Sequence, residues 1–191
     1  MKIAYITSTK SGEIDQLLAD VAEDLQAQGT SLAGIVKAMD YSSEFANGCD
    51  MKVRVLPDGP VIKITQNLGA GSDACRLDPG AIARAVGSVE TGALDKADLF
   101  ILNKFGPEEA AGRGFCNVIG AALEQDIPVL VGVSGVGKPA FETFAGGLAT
   151  ALPPQKKAIL DWCRKDASVG IIRYRQHIRP FQTRPALSLP S

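Results

Sequence analysis

The apolar positions along this chain fall into two rhythms, continuous short runs and runs at helical spacing, and they alternate with one another. The run that organises the rest is Leu99 to Asn103, within Ala97-Asp98-Leu99-Phe100-Ile101-Leu102-Asn103-Lys104-Phe105-Gly106. It is apolar almost throughout, stops at Asn103-Lys104 and is followed by a Gly-Pro turn, which predicts a strand buried on both faces. Ile3 to Thr7 reads as a first strand, and Glu13 to Gln28 as a helix with Ile14, Leu17, Leu18, Val21 and Leu25 on one face. Gly29 stops that helix, and Ser31 to Ala38 carries a second strand, completing a βαβ unit and predicting a parallel sheet. The rhythm breaks between Asp40 and Asp78. Met51 to Leu56 and Val61 to Thr65 form two short strands joined by Pro57-Asp58-Gly59-Pro60, an antiparallel hairpin inserted at about residues 49–66. Asp78 and Pro79 open a helix that runs to about Lys96; Phe115 to Gln125 is the next helix and Ile127 to Val133 another wholly apolar strand. Pro139 to Phe144 and Gln155 to Lys165 read as the last helices.

The expected architecture is therefore three-layer α/β with a mostly parallel sheet and an inserted antiparallel hairpin. Its domain spans residues 1–150, and residues 151–191 form a C-terminal helix and an arginine-rich tail. With 191 residues, 46% apolar and 21% charged, one domain with a sizeable core is expected. The net charge of −1 gives no global field for nucleic acid or anionic membrane. No apolar run approaches the roughly 20 residues of a membrane span, and Met1 to Thr7 is strand-like rather than a secretory signal. A cytoplasmic location follows as the expectation. There Cys49, Cys75, Cys116 and Cys163 would be reduced, and none has CxxC spacing.

In a parallel sheet ligands gather beyond the carboxyl ends of the strands, which directs attention to two places. Ser8-Thr9-Lys10-Ser11-Gly12 stands where a P-loop belongs, between an opening strand and its helix. A working P-loop reads GxxxxGK[ST]. Aligned on Gly12, this chain has Thr7 for the first glycine, Glu13 for the lysine and Ile14 for the hydroxyl. Glu13 repels phosphate, while Ser8, Thr9, Lys10, Ser11 and Gly12 at a helix N-terminus still offer donors to an anion. The second place is the end of the central strand. A nucleoside triphosphatase of this kind carries there an Asp for Mg²⁺ and often a Glu that orients water; here stand Asn103 and Lys104. Lys104 with Lys10 would then neutralise a phosphate or other oxyanion without metal, so Mg²⁺ is not expected. Gly112 and Gly114 flank Arg113, which lets its guanidinium approach a ligand.

Asn103-Lys104-Phe105-Gly106 with Glu109 and Gly112-Arg113-Gly114 resembles a bacterial family of unknown function, itself similar to degenerate P-loop nucleoside triphosphatases of the thermophilic type. Cys49-Asp50-Met51, Ile64-Thr65-Gln66-Asn67-Leu68-Gly69 and Cys75-Arg76-Leu77-Asp78 extend the resemblance over most of residues 1–148. It implies a P-loop NTPase-like α/β fold, no established activity, no catalytic residue and an association with molybdenum-related genes. The tail lies outside it.

Other patterns carry less. Gly132-Val133-Ser134-Gly135-Val136-Gly137-Lys138-Pro139 fits GxxxxGK, but Pro139 supplies no hydroxyl and should disfavour helical geometry at Lys138. Gly69-Ala70-Gly71-Ser72-Asp73-Ala74 mimics a dinucleotide loop without the βαβ context. Cys49 and Cys75 flank the hairpin and with Met51 would make a soft-metal or thiol site if they met; two small buried residues is the plainer reading. The tail holds His177, the sole histidine, with Arg173, Arg175, Arg179 and Arg184; Ile171 to Ile178 alternates like an edge strand or a homodimer arm more than a nucleic-acid contact. Three function classes remain. The first is a non-hydrolysing regulatory protein binding a nucleotide, phosphate or small anionic ligand. The second is a nucleotide-dependent enzyme with an atypical base such as Glu109. The third is a thiol or metal-handling partner.

Overall fold

Burial on two faces explains the order of elements. In the computed structural model, which describes residues 2–41, 50–66, 76–92 and 94–164, with Arg76 as backbone only, β1 (Ile3–Ile6) is buried at every position. Loop 7–12 leads from it into α1 (Glu13–Ala27), which turns Leu18, Val21, Ala22 and Leu25 onto the sheet. The chain returns as β2 (Leu32–Lys37). The hairpin β3 (Lys52–Val55) and β4 (Val61–Lys63) follows, then a ribbon of β5 (Thr65–Gln66) and β6 (Arg76–Leu77). α2 (Pro79–Glu90) begins with Asp78 accepting from the N–H of Gly80 and Ala81 at 2.9 and 3.2 Å. After β7 (Leu99–Phe105) come α3 (Pro107–Ala110), α4 (Cys116–Glu124), β8 (Val129–Val133), α5 (Lys138–Ala145), β9 (Ala149–Leu152) and a helix α6 over 156–164.

The main sheet has seven strands in the order β4-β3-β2-β7-β8-β1-β9. β2, β7, β8, β1 and β9 run parallel, and β3 and β4 extend one edge in antiparallel fashion. The core divides between the two faces. One side gathers α1 and α6 around Ile6, Leu18, Leu99, Ile101 and Ile159. The other gathers α2, α4 and α5 around Phe100, Leu102, Phe105, Ile119 and Phe141. Among the described residues no helix is long and apolar enough to cross a membrane. The expected three-layer α/β sandwich, its parallel sheet and its edge hairpin are therefore present.

Several local expectations are corrected. The central strand runs two residues past Asn103, to Phe105. Register against β8 shifts between Leu102 and Phe105, a bulge that contains Asn103 and Lys104. Gly132 makes this close approach feasible: a Cβ there would overlap the Asn103 carbonyl and lie 2.7 Å from Ile14 Cγ2. The helix after Asp78 ends at Glu90, and Leu94–Lys96 is a separate 3₁₀ turn. Lys138 does open a helix, because Pro139 sits in the first turn, where its missing N–H has no intrahelical acceptor to lose. Phe141 and Ala145 anchor that helix in the core. β9, unforeseen, pairs with β1 from Ile3↔Ala149 to Ile6↔Leu152.

Candidate functional site

The parallel strands end along one rim, and the two candidate loops lie on it. β8 sits between β1 and β7, so loop 7–12 and the end of β7 are separated by two strand spacings, about 10 Å. Gly12 takes the left-handed conformation, φ 75°, as the residue before α1, and its carbonyl accepts from Gln16 N–H at 3.1 Å. Its neighbour Glu13 turns back over the loop. Ser8 Oγ donates to Glu13 Oε2, Lys10 Nζ lies 3.4 Å from Glu13 Oε1, and Lys10 N–H donates to Ser8 Oγ at 3.0 Å. The Ser8 hydroxyl, more than the Lys10 ammonium, holds the Glu13 carboxyl below its ordinary range. The loop thus carries an internal anion on donors that an external phosphate would use. Thr9 and Ser11 are exposed.

At the other end, Asn103 is 2% exposed. Its Oδ1 accepts from Lys37 N–H at 3.0 Å and its Nδ2 donates to Asp15 Oδ1 at 2.9 Å. Asp15 Oδ2 in turn meets Lys37 Nζ at 3.0 Å. Asn103 is thereby the tie between α1, β2 and β7. Lys104, next in the bulge, is exposed, and no described hydrogen bond or ion pair engages its ammonium.

Loop 106–116 is closed on itself. Glu109, 6% exposed, accepts from Gly106 N–H at 2.9 Å through Oε2 and from Phe115 N–H at 3.1 Å through Oε1. Its carbonyl accepts from Cys116 Sγ at 3.1 Å. Burial, with the Glu109 charge second, pushes the Cys116 thiol up. Gly112 and Gly114 are left-handed, at φ 73° and 54°. Between them Arg113 forms a fork with Glu108, Nε to Oε2 at 2.8 Å and Nη2 to Oε1 at 3.0 Å. The fork lowers the Glu108 carboxyl and raises the Arg113 guanidinium. In the second glycine-rich turn Ser134 Oγ accepts from Gly137 N–H at 3.1 Å, and Lys138 pairs with Glu142 at 3.5 Å.

Cys49, Cys75, the loop around Gly69 and the tail lie outside the described residues. Among the described residues no group of three His, Cys, Asp or Glu side chains could hold a metal ion. No sequence motif singles out Asp15, Lys37 or Glu108. Asp15 and Asn103 are 88 positions apart, and no motif spacing links them.

Residues 3–162 match the family described as Protein of unknown function (DUF2478). The chain belongs to that family. It is 34% identical over 177 residues to the molybdenum import ATP-binding protein ModC 2 of Bradyrhizobium diazoefficiens, a match covering 92% of this chain and 19% of that protein. The chain thus spans about a fifth of the length of the curated relative it matches. Its fold is similar to that of a human cancer-related nucleoside triphosphatase solved in solution, with a TM-score of 0.56, 14% identity, and coverage of 94% of this chain and 100% of that one. The expected family of unknown function is therefore found, and the expected likeness to nucleoside triphosphatases holds for the fold.

Proposed function

We propose that the chain is a non-hydrolysing regulatory protein that binds a phosphate, nucleotide or similar oxyanion on a degenerate P-loop scaffold. Ser8, Thr9, Lys10, Ser11, Gly12 and Lys104 would line the site, with Arg113 at its margin. The observation that carries this reading is Lys104. An ammonium without a described partner stands in the strand-end bulge of β7, where a triphosphatase places acids. Asn103 beside it is an amide already bonded at both ends. Glu109, the candidate base, has both carboxylate oxygens on backbone donors, which favours binding over hydrolysis. The relative that shares 34% identity is a molybdenum import ATP-binding protein, so molybdate, a tetrahedral oxyanion like phosphate, is the second ligand to test.

Isothermal titration with phosphate, molybdate, ADP and ATP in EDTA tests the proposal. Binding of at least one ligand, weakened about tenfold or more by Lys104→Ala (1.4 kcal/mol or more), is expected. Affinity that survives Lys104→Ala, or no binding at all, overturns it. Phosphate release with Mg²⁺ that Glu109→Gln abolishes in a folded variant would establish the enzyme reading instead.

A further inference from the structure

A strand-end acid in this type of fold holds Mg²⁺ between the P-loop hydroxyl and the nucleotide phosphates. The partners of the rim carboxylates decide whether the residues here fit such an ion. Glu13 accepts from Ser8 and pairs with Lys10. Asp15, in the first turn of α1, is the carboxylate that reaches β7, and both of its oxygens are engaged, Oδ1 by Asn103 Nδ2 at 2.9 Å and Oδ2 by Lys37 Nζ at 3.0 Å. Lys37 is fixed a second time, because its backbone N–H donates to Asn103 Oδ1 at 3.0 Å. One buried amide therefore aligns both the carboxylate and the cation that meets it.

This differs from an ordinary surface ion pair, whose long side chains are free and whose charges are solvated. The Lys37 and Asp15 side chains are only 31% and 21% exposed, and the amide between them is buried. Mg²⁺ requires near-octahedral oxygen ligands and usually one or two free carboxylates. The end of β7 offers an amide whose oxygen is taken, a carboxylate already paired and an ammonium beside it. The residues do not fit the metal.

We infer that Lys37 is a tethered cation filling the position a divalent metal takes in hydrolytic relatives of this fold, with Asp15 on α1 supplying the carboxylate that β7 has lost. The inference rests on the binding-end assignment above but not on any ligand being bound. It makes metal exclusion a property of three residues from three elements, α1, β2 and β7.

Mn²⁺ alone is the probe, followed by the electron paramagnetic resonance signal of the free ion and by thermal shift. Wild type should bind no Mn²⁺ that depends on Asp15, judged against Asp15→Asn. Asn103→Asp restores a strand carboxylate and should still exclude the ion while Lys37 remains. Adding Lys37→Gln to Asn103→Asp should create one site at least about tenfold tighter than wild type, the scale on which changes around a metal move its affinity. Asp15→Asn in that background should abolish the site. Mn²⁺ binding in wild type that Asp15→Asn removes, or equal binding by Asn103→Asp with and without Lys37, overturns the inference. Should the double variant not fold, Lys37→Gln alone gives the same comparison: tighter binding than wild type supports it, and equal binding overturns it. Because no phosphate or nucleotide is added, these outcomes are independent of the titrations that test the proposed function.

Discussion

Replacing Asn103 by Leu separates a structural strand end from a ligand-binding one. The side chain is 2% exposed and makes two hydrogen bonds, from Lys37 N–H and to Asp15 Oδ1. Leucine keeps the volume and removes both. Lys37 N–H then loses its acceptor at the rim, and Asp15 keeps only the Lys37 ammonium. A part-buried donor left unpaired costs about 1–3 kcal/mol, and a hydrogen bond to a charged group contributes about 1.5–3 kcal/mol. Water can reach Asp15, whose side chain is 21% exposed, so that second loss is partly recovered. The net expectation is a destabilisation of about 2–4 kcal/mol, the range set by one unpaired donor and one partly replaced charged bond. In a domain of this size that lowers Tm by about 5–15 °C. Urea unfolding followed by circular dichroism should show a lower midpoint with an unchanged m value, since the surface exposed on unfolding is the same. Lys104→Ala, one residue on, should leave the midpoint unmoved. A change below about 0.5 kcal/mol for Asn103→Leu, the level of an ordinary surface substitution, would refute the structural account and return Asn103 to the ligand.

Glu109→Gln should destabilise by about 1–3 kcal/mol, since one of the two backbone N–H groups it accepts would face an NH₂ donor; chemical denaturation reads this directly. Gly132→Ala should cost about 1–3 kcal/mol or more, because the new methyl meets the Asn103 carbonyl backbone as well as Ile14, and a stability loss shared non-additively with Asn103→Leu would show that both act on the bulge. Cys116 should alkylate with iodoacetamide far more slowly than an unfolded-state cysteine at pH 8. Its raised thiol pKa also means that the associated stability is present below the ordinary thiol pKa and lost as pH rises through the folded value. Glu13 and Glu108 are lowered, so their contribution is present above the ordinary carboxylate pKa and lost as pH falls through the folded values. A Tm-against-pH curve for Glu13→Gln with a shallower acid limb is the expected result.

The sheet was legible where strands are buried on both faces. β1, β7 and β8 announce themselves as apolar runs, and the helical spacing of Ile14 to Leu25 fixes the first crossover. β9 was not, because Ala-Thr-Ala-Leu, set between a glycine pair and a proline pair, is mostly small residues with one β-branched side chain and no bulky apolar run. It is held by pairing to β1 rather than by propensity. The bulge at Asn103–Lys104 depends on a glycine in a different strand, so it leaves no local mark. At the rim, the chain pattern pointed to Lys10, Asn103, Glu109 and Arg113 as polar residues at strand ends and turns. Their partners are the part it could not show. Glu108 reaches Arg113 only because Gly112 reverses the backbone between them, and Asp15 reaches Asn103 only because α1 lies across β7.

Those partners constrain what any ligand must do. Glu13 is answered by Ser8 and Lys10, Asp15 by Asn103 and Lys37, Glu108 by Arg113, and Glu109 by two backbone N–H groups. An incoming anion has two routes. It can displace Glu13 from the loop, which means separating a carboxylate from donors it already satisfies. Or it can settle first on Lys104, the base in this set without a described acid. The second route breaks nothing, so Lys104 should dominate initial binding. A single exposed ammonium is screened over about 8–10 Å at physiological salt, so affinity through this route should fall as ionic strength rises. Binding that is indifferent to salt yet abolished by Lys10→Ala would instead mean that the ligand takes the loop itself and drives Glu13 out.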